Sequence, residues 1–276
     1  FTFMGNKGRR LHSGHLRRNQ ATREVYEDPN ANTFAWVWDA GSAASAGVPY
    51  PYAGFSGQAG FALQPFPQVA NTWGPLFYVG SPLGASGYRS FQGNLTRRMK
   101  DGIAANISYN YSRTTGNTES QFDELWWVGV VQDMYNLDRE AKIVTSYDMT
   151  HVFKGLVSYE LPFGQGRKWL SGASGVVDAI LGGWTVTGIF RYQSGYPMGI
   201  GTSVWRPGWE GAVYADQVGS INLTGFEGKN FDPGNPSDPV NRYFDPTAFA
   251  NPDGHALGNG ERLYEDLRGF GGAYED

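Results

Sequence analysis

Between Ile103 and Arg113 residue character alternates without a break. Ile103, Ala105, Ile107, Tyr109 and Tyr111 interleave with Ala104, Asn106, Ser108, Asn110 and Ser112. A helix would scatter these side chains around its circumference, whereas a strand sends the two sets to opposite faces. Three more segments alternate over a similar length. In 87–98, Phe91 and Leu95 oppose Ser90, Gln92, Asn94, Thr96 and Arg98. In 148–161, Met149, Phe153, Val157, Tyr159 and Leu161 oppose Thr150, Lys154, Ser158 and Glu160, with Val152 and Leu156 as apolar exceptions. In 183–196, Trp184, Val186, Phe190, Tyr192 and Tyr196 oppose Thr185, Thr187, Arg191 and Gln193, with Ile189 out of place. Between the first pair, Lys100-Asp101-Gly102 is a tight-hairpin signal.

One apolar and one polar face also suit a soluble sandwich, in which the apolar face turns inward. Two features favour strands that cross a membrane. Aromatic rings fall at the ends of the apolar rows, Tyr159 and Trp184 at one rim and Tyr111 and Tyr196 at the other, as amphipathic rings do at the two interfaces. Connection lengths also alternate. Long links at 11–85, 114–146 and 198–260 are separated by the hairpin turn and by an intermediate link with a basic turn and an apolar stretch at 176–181. Barrels keep short turns on the periplasmic side and long loops outside. The expected fold is all-β: part of an antiparallel transmembrane β-barrel with long extracellular loops, its chain forming one domain over 1–276. The outward set is Ile107, Phe153, Val157, Val186 and Phe190, and the inward set is Asn106, Lys154, Thr187 and Arg191.

Composition agrees and excludes several classes. The 276 residues include 39 Gly, 16 Tyr, 17 Phe and 9 Trp, a mixture suited to strands, interfaces and turns. No apolar run approaches the roughly 18–20 residues of a spanning helix. With no Cys there are no disulfides or thiolate metal sites, and a net charge of −4 gives no reason to expect a nucleic-acid partner.

Few residues fall in a pattern that chemistry would need. His12 and His15 lie in a basic loop without an acidic partner, and His151 falls on the apolar face near its outer end. Gly172-Ala173-Ser174-Gly175 has turn composition, not that of a nucleophile elbow, and Gly164-Gln165-Gly166 lacks the rest of a nucleotide loop. Asp232, Asn235, Asp238 and Asp245 do not have EF-hand spacing. No enzyme, metal or cofactor is expected. The better candidates are loop aromatics able to stack on sugars or grip peptides: Trp126, Trp127 and Tyr135, and Trp205, Trp209 and Tyr214. Packing of the loops on one another is the competing role. A second set, Arg98, Lys154 and Arg191, is expected to face the lumen, with ion pairing to plug or wall residues as its simpler role.

Several motifs follow one another in the order of a known family. They include Met4-Gly5-Asn6-Lys7-Gly8-Arg9-Arg10-Leu11, Pro51-Tyr52-Ala53-Gly54-Phe55, Ala62-Leu63-Gln64-Pro65-Phe66-Pro67-Gln68 and Ser86-Gly87-Tyr88-Arg89-Ser90-Phe91-Gln92. Tyr147-Asp148-Met149-Thr150-His151, Leu161-Pro162-Phe163-Gly164, Gly182-Gly183-Trp184 and Gln193-Ser194-Gly195-Tyr196-Pro197 follow. Tyr243-Phe244-Asp245-Pro246-Thr247-Ala248-Phe249 and Gly258-Asn259-Gly260-Glu261-Arg262 come last. Together they resemble the barrel region of Oar-like TonB-dependent receptors of acidobacteria and myxobacteria. Arg268-Gly269-Phe270-Gly271 departs from the family's Arg-Gly-Pro-Gly.

The resemblance implies a barrel of about 22 strands, of which these residues supply four and part of a fifth. A plug domain and TonB box are expected outside this chain, which would be truncated at both ends. It also implies residence in the outer membrane of a Gram-negative bacterium and energised uptake of a large scarce solute (an oligosaccharide, peptide or metal chelate). Expected partners are outer-membrane lipid, the TonB complex and that solute. The alternatives are an adhesive or secretion-related surface barrel and, further off, a soluble glycan-binding β protein.

Overall fold

The computed structural model describes residues 1–12, 16–69, 77–78, 82–117, 131–224, 232–235, 238, 241–269 and 273–274. Its frame is one six-stranded antiparallel sheet. The strands, in chain order, are β1 (Thr2–Leu11), β2 (Gly84–Lys100), β3 (Ile103–Gly116), β4 (His151–Glu160), β5 (Thr185–Gln193) and β6 (Ala273–Tyr274), each paired with the next. The four segments expected from alternation are all strands of this sheet, adjacent in sequence order.

Local chemistry sets the strand ends. Lys100 pairs with Ile103, so the β2–β3 turn holds two residues, Asp101 and Gly102, with φ of 54° and 79°. Two left-handed residues match the right-handed twist of the flanking strands, and Asp-Gly tolerates them. β4 starts at His151, three residues later than the alternation suggests. There the Asp148 carboxylate is spent on the Thr114 amide, the Thr150 hydroxyl and the Arg268 guanidinium, so its segment is a turn. β5 starts after Gly183, whose φ of 73° reverses the chain out of a short helix, Gly175–Leu181.

Cross-strand partners share a face, so the register sorts the side chains. Phe3, Phe91, Tyr111 and His151 form one row, Leu95, Ile107, Gly155 and Phe190 another, and Ile103, Tyr159 and Val186 a third. The opposite face carries Thr2, Gln92, Asn110, Val152 and Gln193 in one row and Asn94, Ser108, Lys154 and Arg191 in the next. The expected division of faces is therefore present. Two of the apolar exceptions, Leu156 and Ile189, stand directly opposite each other on the polar face.

No buried hydrophobic side chain among the described residues belongs to these six strands. Their apolar face is bare, with Leu95 64% and Val186 56% exposed. Among the described residues the other sheets are two-stranded pairs, so no second layer covers it. The apolar core lies instead in the long connections, which are not the structureless links their composition suggests. One cluster joins Val37, Ala43, Val48, Phe55 and Ala59 within the first connection. A second joins Ala21 and Tyr26 of the first connection to Trp209 and Leu257 of the third. Burial of apolar surface, excluded from one side of the wall, is concentrated in the loops.

Candidate functional site

Antiparallel order sends the connections 12–83, 117–150 and 194–272 to one end of the wall, and 101–102 and 161–184 to the other. The first three meet in a cap. Gln132, fully buried, is its hub: its amide donates to the Leu257 and Gly258 carbonyls at 2.6 and 3.0 Å. Its carbonyl accepts from the Gln20 side chain at 2.6 Å, and its side-chain oxygen accepts from Arg23 and Arg139 at 3.1 and 2.8 Å. One residue thus binds parts of all three connections. Glu140 accepts from the Gln132 amide N–H at 3.1 Å and from the Tyr214 hydroxyl at 3.3 Å. Burial pushes the Glu140 carboxyl above its ordinary range, opposed by that amide bond and by Arg262 and Arg139. Desolvation also drives the Tyr214 phenol upward, reinforced by the charge of Glu140.

The cap divides the expected loop aromatics. Trp209 is 7% exposed with its ring 5.1 Å from Tyr26, and its indole N–H donates to the Ala212 carbonyl. Tyr214 is equally enclosed by its bond to Glu140. These two fill the competing role, packing of the loops on one another, because the loops need an apolar core of their own and take large side chains for it. Tyr135 remains exposed and donates its hydroxyl to the Gln20 carbonyl. Trp205 is 60% exposed, edge-on to Phe34 at 6.4 Å. Trp126 and Trp127 lie outside the described residues.

Sequence reading missed a stronger pair. Trp36 and Trp38 flank Val37, which is wholly buried in the first core cluster, so the chain is pinned there while both indoles stay exposed. The Trp36 indole N–H donates to Ser56 Oγ at 3.3 Å. The two rings wall a cavity of ≈ 360 Å³ whose other lining includes Asp39, Ser42 and Ser45. The signal was present as Trp-Val-Trp, an alternation too short to stand out before Val37 is known to be buried.

On the polar face, Lys154 stands directly opposite Arg191. Like charges so placed oppose strand pairing, and neither has an ion-pair partner among the described residues. They line a cavity of ≈ 540 Å³ with Gln92, Asn94, Ser108 and Asn110. The Asn110 and Gln193 side-chain oxygens nearby are buried without a partner among the described residues. Arg98 lies on the turn-end part of β2 and is not among the residues lining this cavity.

The remaining candidates resolve into structure. Asp232, Asn235 and Asp238 are linked by turn hydrogen bonds, and Asp245 caps the turn Pro246–Ala248 through Thr247. His151 is exposed among Tyr109 and Tyr111, with Tyr109 Oη 2.7 Å from its Nδ1. His15 lies outside the described residues.

A sheet with one apolar face bare to its surroundings, one polar face and its long loops at one end defines a strand-built membrane wall. A family model described as an outer membrane beta barrel domain matches residues 1–274, and the chain belongs to that family. It therefore resides in the outer membrane of a Gram-negative bacterium, which sets aside the soluble glycan-binding alternative. No curated protein and no solved structure matches it. The apolar face is accordingly the lipid-facing one, the polar face lines the interior, and the cap is extracellular.

Proposed function

We propose that this chain forms wall and cap of a TonB-dependent receptor of the Oar-like type, which takes up a large scarce solute and performs no reaction on it. The observation that carries the reading is the cap. It is an extracellular unit held by buried hydrogen bonds, presenting Trp36, Trp38 and Trp205 on a fixed scaffold. Rigid rings lose little entropy on contact and offer flat faces to sugars, peptides or chelate ligands. Lys154 and Arg191, without an ion-pair partner among the described residues, would supply an interior stop for an anionic group, either of the passing solute or of a plug carboxylate. Order-of-motif resemblance over most of the chain supports the receptor assignment, and TonB with its inner-membrane partners would be the energy source.

The test uses the full-length protein in cells of its own kind. Uptake of a labelled solute panel is compared before and after collapse of the proton-motive force, and with the TonB gene deleted. Accumulation that requires both supports the reading. A protein that reaches the surface yet supports adhesion or secretion unchanged by either treatment would instead be a structural barrel, a role the interlocked cap also suits.

A further inference from the structure

The connection 161–184 at the turn end holds a feature that neither wall nor cap explains. Helix Gly175–Leu181 advances about 100° per residue, which groups Val176, Val177, Ile180 and Leu181 on one arc with Asp178 opposite. All four aliphatic side chains are exposed, Val176 at 73% and Ile180 at 62%. The other side of the helix does the fastening. The Asp178 carboxylate accepts from the Gln165 amide, and it sits so close to Gly164 and Gly182 that a Cβ at either would meet its Oδ1 at 2.7 or 2.4 Å.

The helix is also tied to the lipid side of the wall. The Leu161 amide donates to the Trp184 carbonyl, continuing the β4–β5 ladder, so Trp184 precedes Val186 in the lipid-facing row. Its indole N–H donates to the Ile180 carbonyl at 2.8 Å. Trp169 and Leu170 of the same connection are also exposed, at 50% and 45%, with Leu170 held at a φ of 59° that a leucine rarely adopts. Lys168 Nζ lies 5.7 Å above the Trp169 ring, and Arg167 is paired with Glu160.

We propose that this surface is a membrane anchor whose occupant is phospholipid of the periplasmic leaflet. Val176, Val177, Ile180 and Leu181 enter the upper acyl region, Trp169 and Trp184 lie at headgroup depth, and Lys168 faces the lipid phosphates. Three observations select lipid over a protein partner. The apolar arc is continuous with a wall face already committed to lipid. Trp184 is bonded to the helix, and the same connection carries the exposed Trp169 with Lys168 over its ring, the composition of interfacial segments. It stands at the end of the wall where the apolar rows stop. The anchor fixes the depth of the wall from its short-turn side.

These residues contain no cysteine, so single Cys substitutions can carry an environment-sensitive bimane label in the full-length protein, with any cysteine elsewhere replaced by serine. Labels go at Val176→Cys and Ile180→Cys, and at Gly172→Cys as the control, where an added Cβ meets nothing within 4 Å. The protein is reconstituted in phosphatidylethanolamine–phosphatidylglycerol vesicles, with heat-modifiable gel mobility reporting a folded barrel. At 176 and 180 the emission should shift to the blue and be quenched by shallow spin-labelled lipid more than by deep. Only the label at 172 should be quenched by aqueous iodide. Equal iodide quenching at 176, 180 and 172 would put the face in water and overturn the proposal. Shielding from both quenchers would mean a protein segment or second copy covers it, and overturns it equally. A folded Val176→Ser/Ile180→Ser variant should lose lipid quenching of a label at Leu181→Cys.

Discussion

Asp148 and Arg268 meet across 120 positions of chain at 2.7 Å, with the carboxylate wholly buried and the guanidinium 13% exposed. Arg268 also donates to the Asp148 and Gly195 carbonyls, so it clamps the third connection onto the start of β4. Asp148→Ala strands a buried guanidinium and should cost about 3–5 kcal/mol, read as faster proteolysis of the cap in reconstituted protein. Arg268→Lys should be only partly tolerated, because one ammonium cannot reproduce the planar fork. Glu140 behaves differently. Its folded-state pKa is raised by burial, so its contribution is most favourable below the ordinary carboxylate range and is lost as pH rises through the raised value. Above that raised value the buried charge opposes closure of the cap. Glu140→Gln keeps an acceptor for the Gln132 amide and should flatten this slope, with hydrogen-exchange protection of the cap nearly unchanged across the mildly acidic range. A variant as pH-dependent as the wild type would show that another group governs it.

The strands grade by depth. From Ile103 to Tyr111 the lipid-facing side of β3 runs eight residue-to-residue steps, about 27 Å along the strand at ~3.4 Å each. Tilted by about 35–45°, that covers about 19–22 Å, most of the roughly 25 Å of an apolar membrane band. The middle is the row of Leu95, Ile107, Gly155 and Phe190, whereas Val186 shares a row with Tyr159 near one rim and Phe153 lies one row from the aromatic row at the other. Ile107→Arg or Phe190→Arg should therefore cost about 2–4 kcal/mol, and Val186→Arg about 0–1 kcal/mol, measured by urea unfolding from lipid vesicles. Equal costs at all three sites would refute this placement. β2 and β3, at 17 and 14 residues, outrun a spanning strand of roughly 9–11 and rise past the membrane to carry the cap. At their turn, Gly102→Ala meets both a φ of 79° and the Glu160 carbonyl at 3.2 Å, and should cost about 1–2 kcal/mol.

For the whole molecule, the proposed receptor role makes the cap separate packing from recognition. Trp36→Ala, Trp38→Ala and Trp205→Ala should each weaken solute binding several-fold, since a stacking contact is worth about 0.5–1.5 kcal/mol, and leave the cap folded. Trp209→Ala should do the reverse at first instance, costing about 3–5 kcal/mol of cap stability as a large buried ring is lost. Binding measured alongside cap proteolysis distinguishes the two. Unchanged binding in all three exposed-ring variants would leave those rings without a recognition role.

Alternation by itself determined four of the six strands of the wall, whereas β1 and β6 were not read from it. Strand identity, hairpin order, face assignment and the end that bears the loops all follow from a period of two and from connection length. These are local properties, and a six-stranded ladder propagates them without further choice. Only the tertiary structure decided the cap. Nothing local to Trp209 distinguishes it from Trp205, and the difference arises because one ring reaches Tyr26, nearly two hundred residues away in sequence, while the other reaches only Phe34 at its edge. The Asp148–Arg268 clamp and the Gln132 hub are likewise long-range, joining groups whose partners carry no periodic signal. Burial in a loop is set by which connections converge on it, and convergence is a property of the folded sheet beneath.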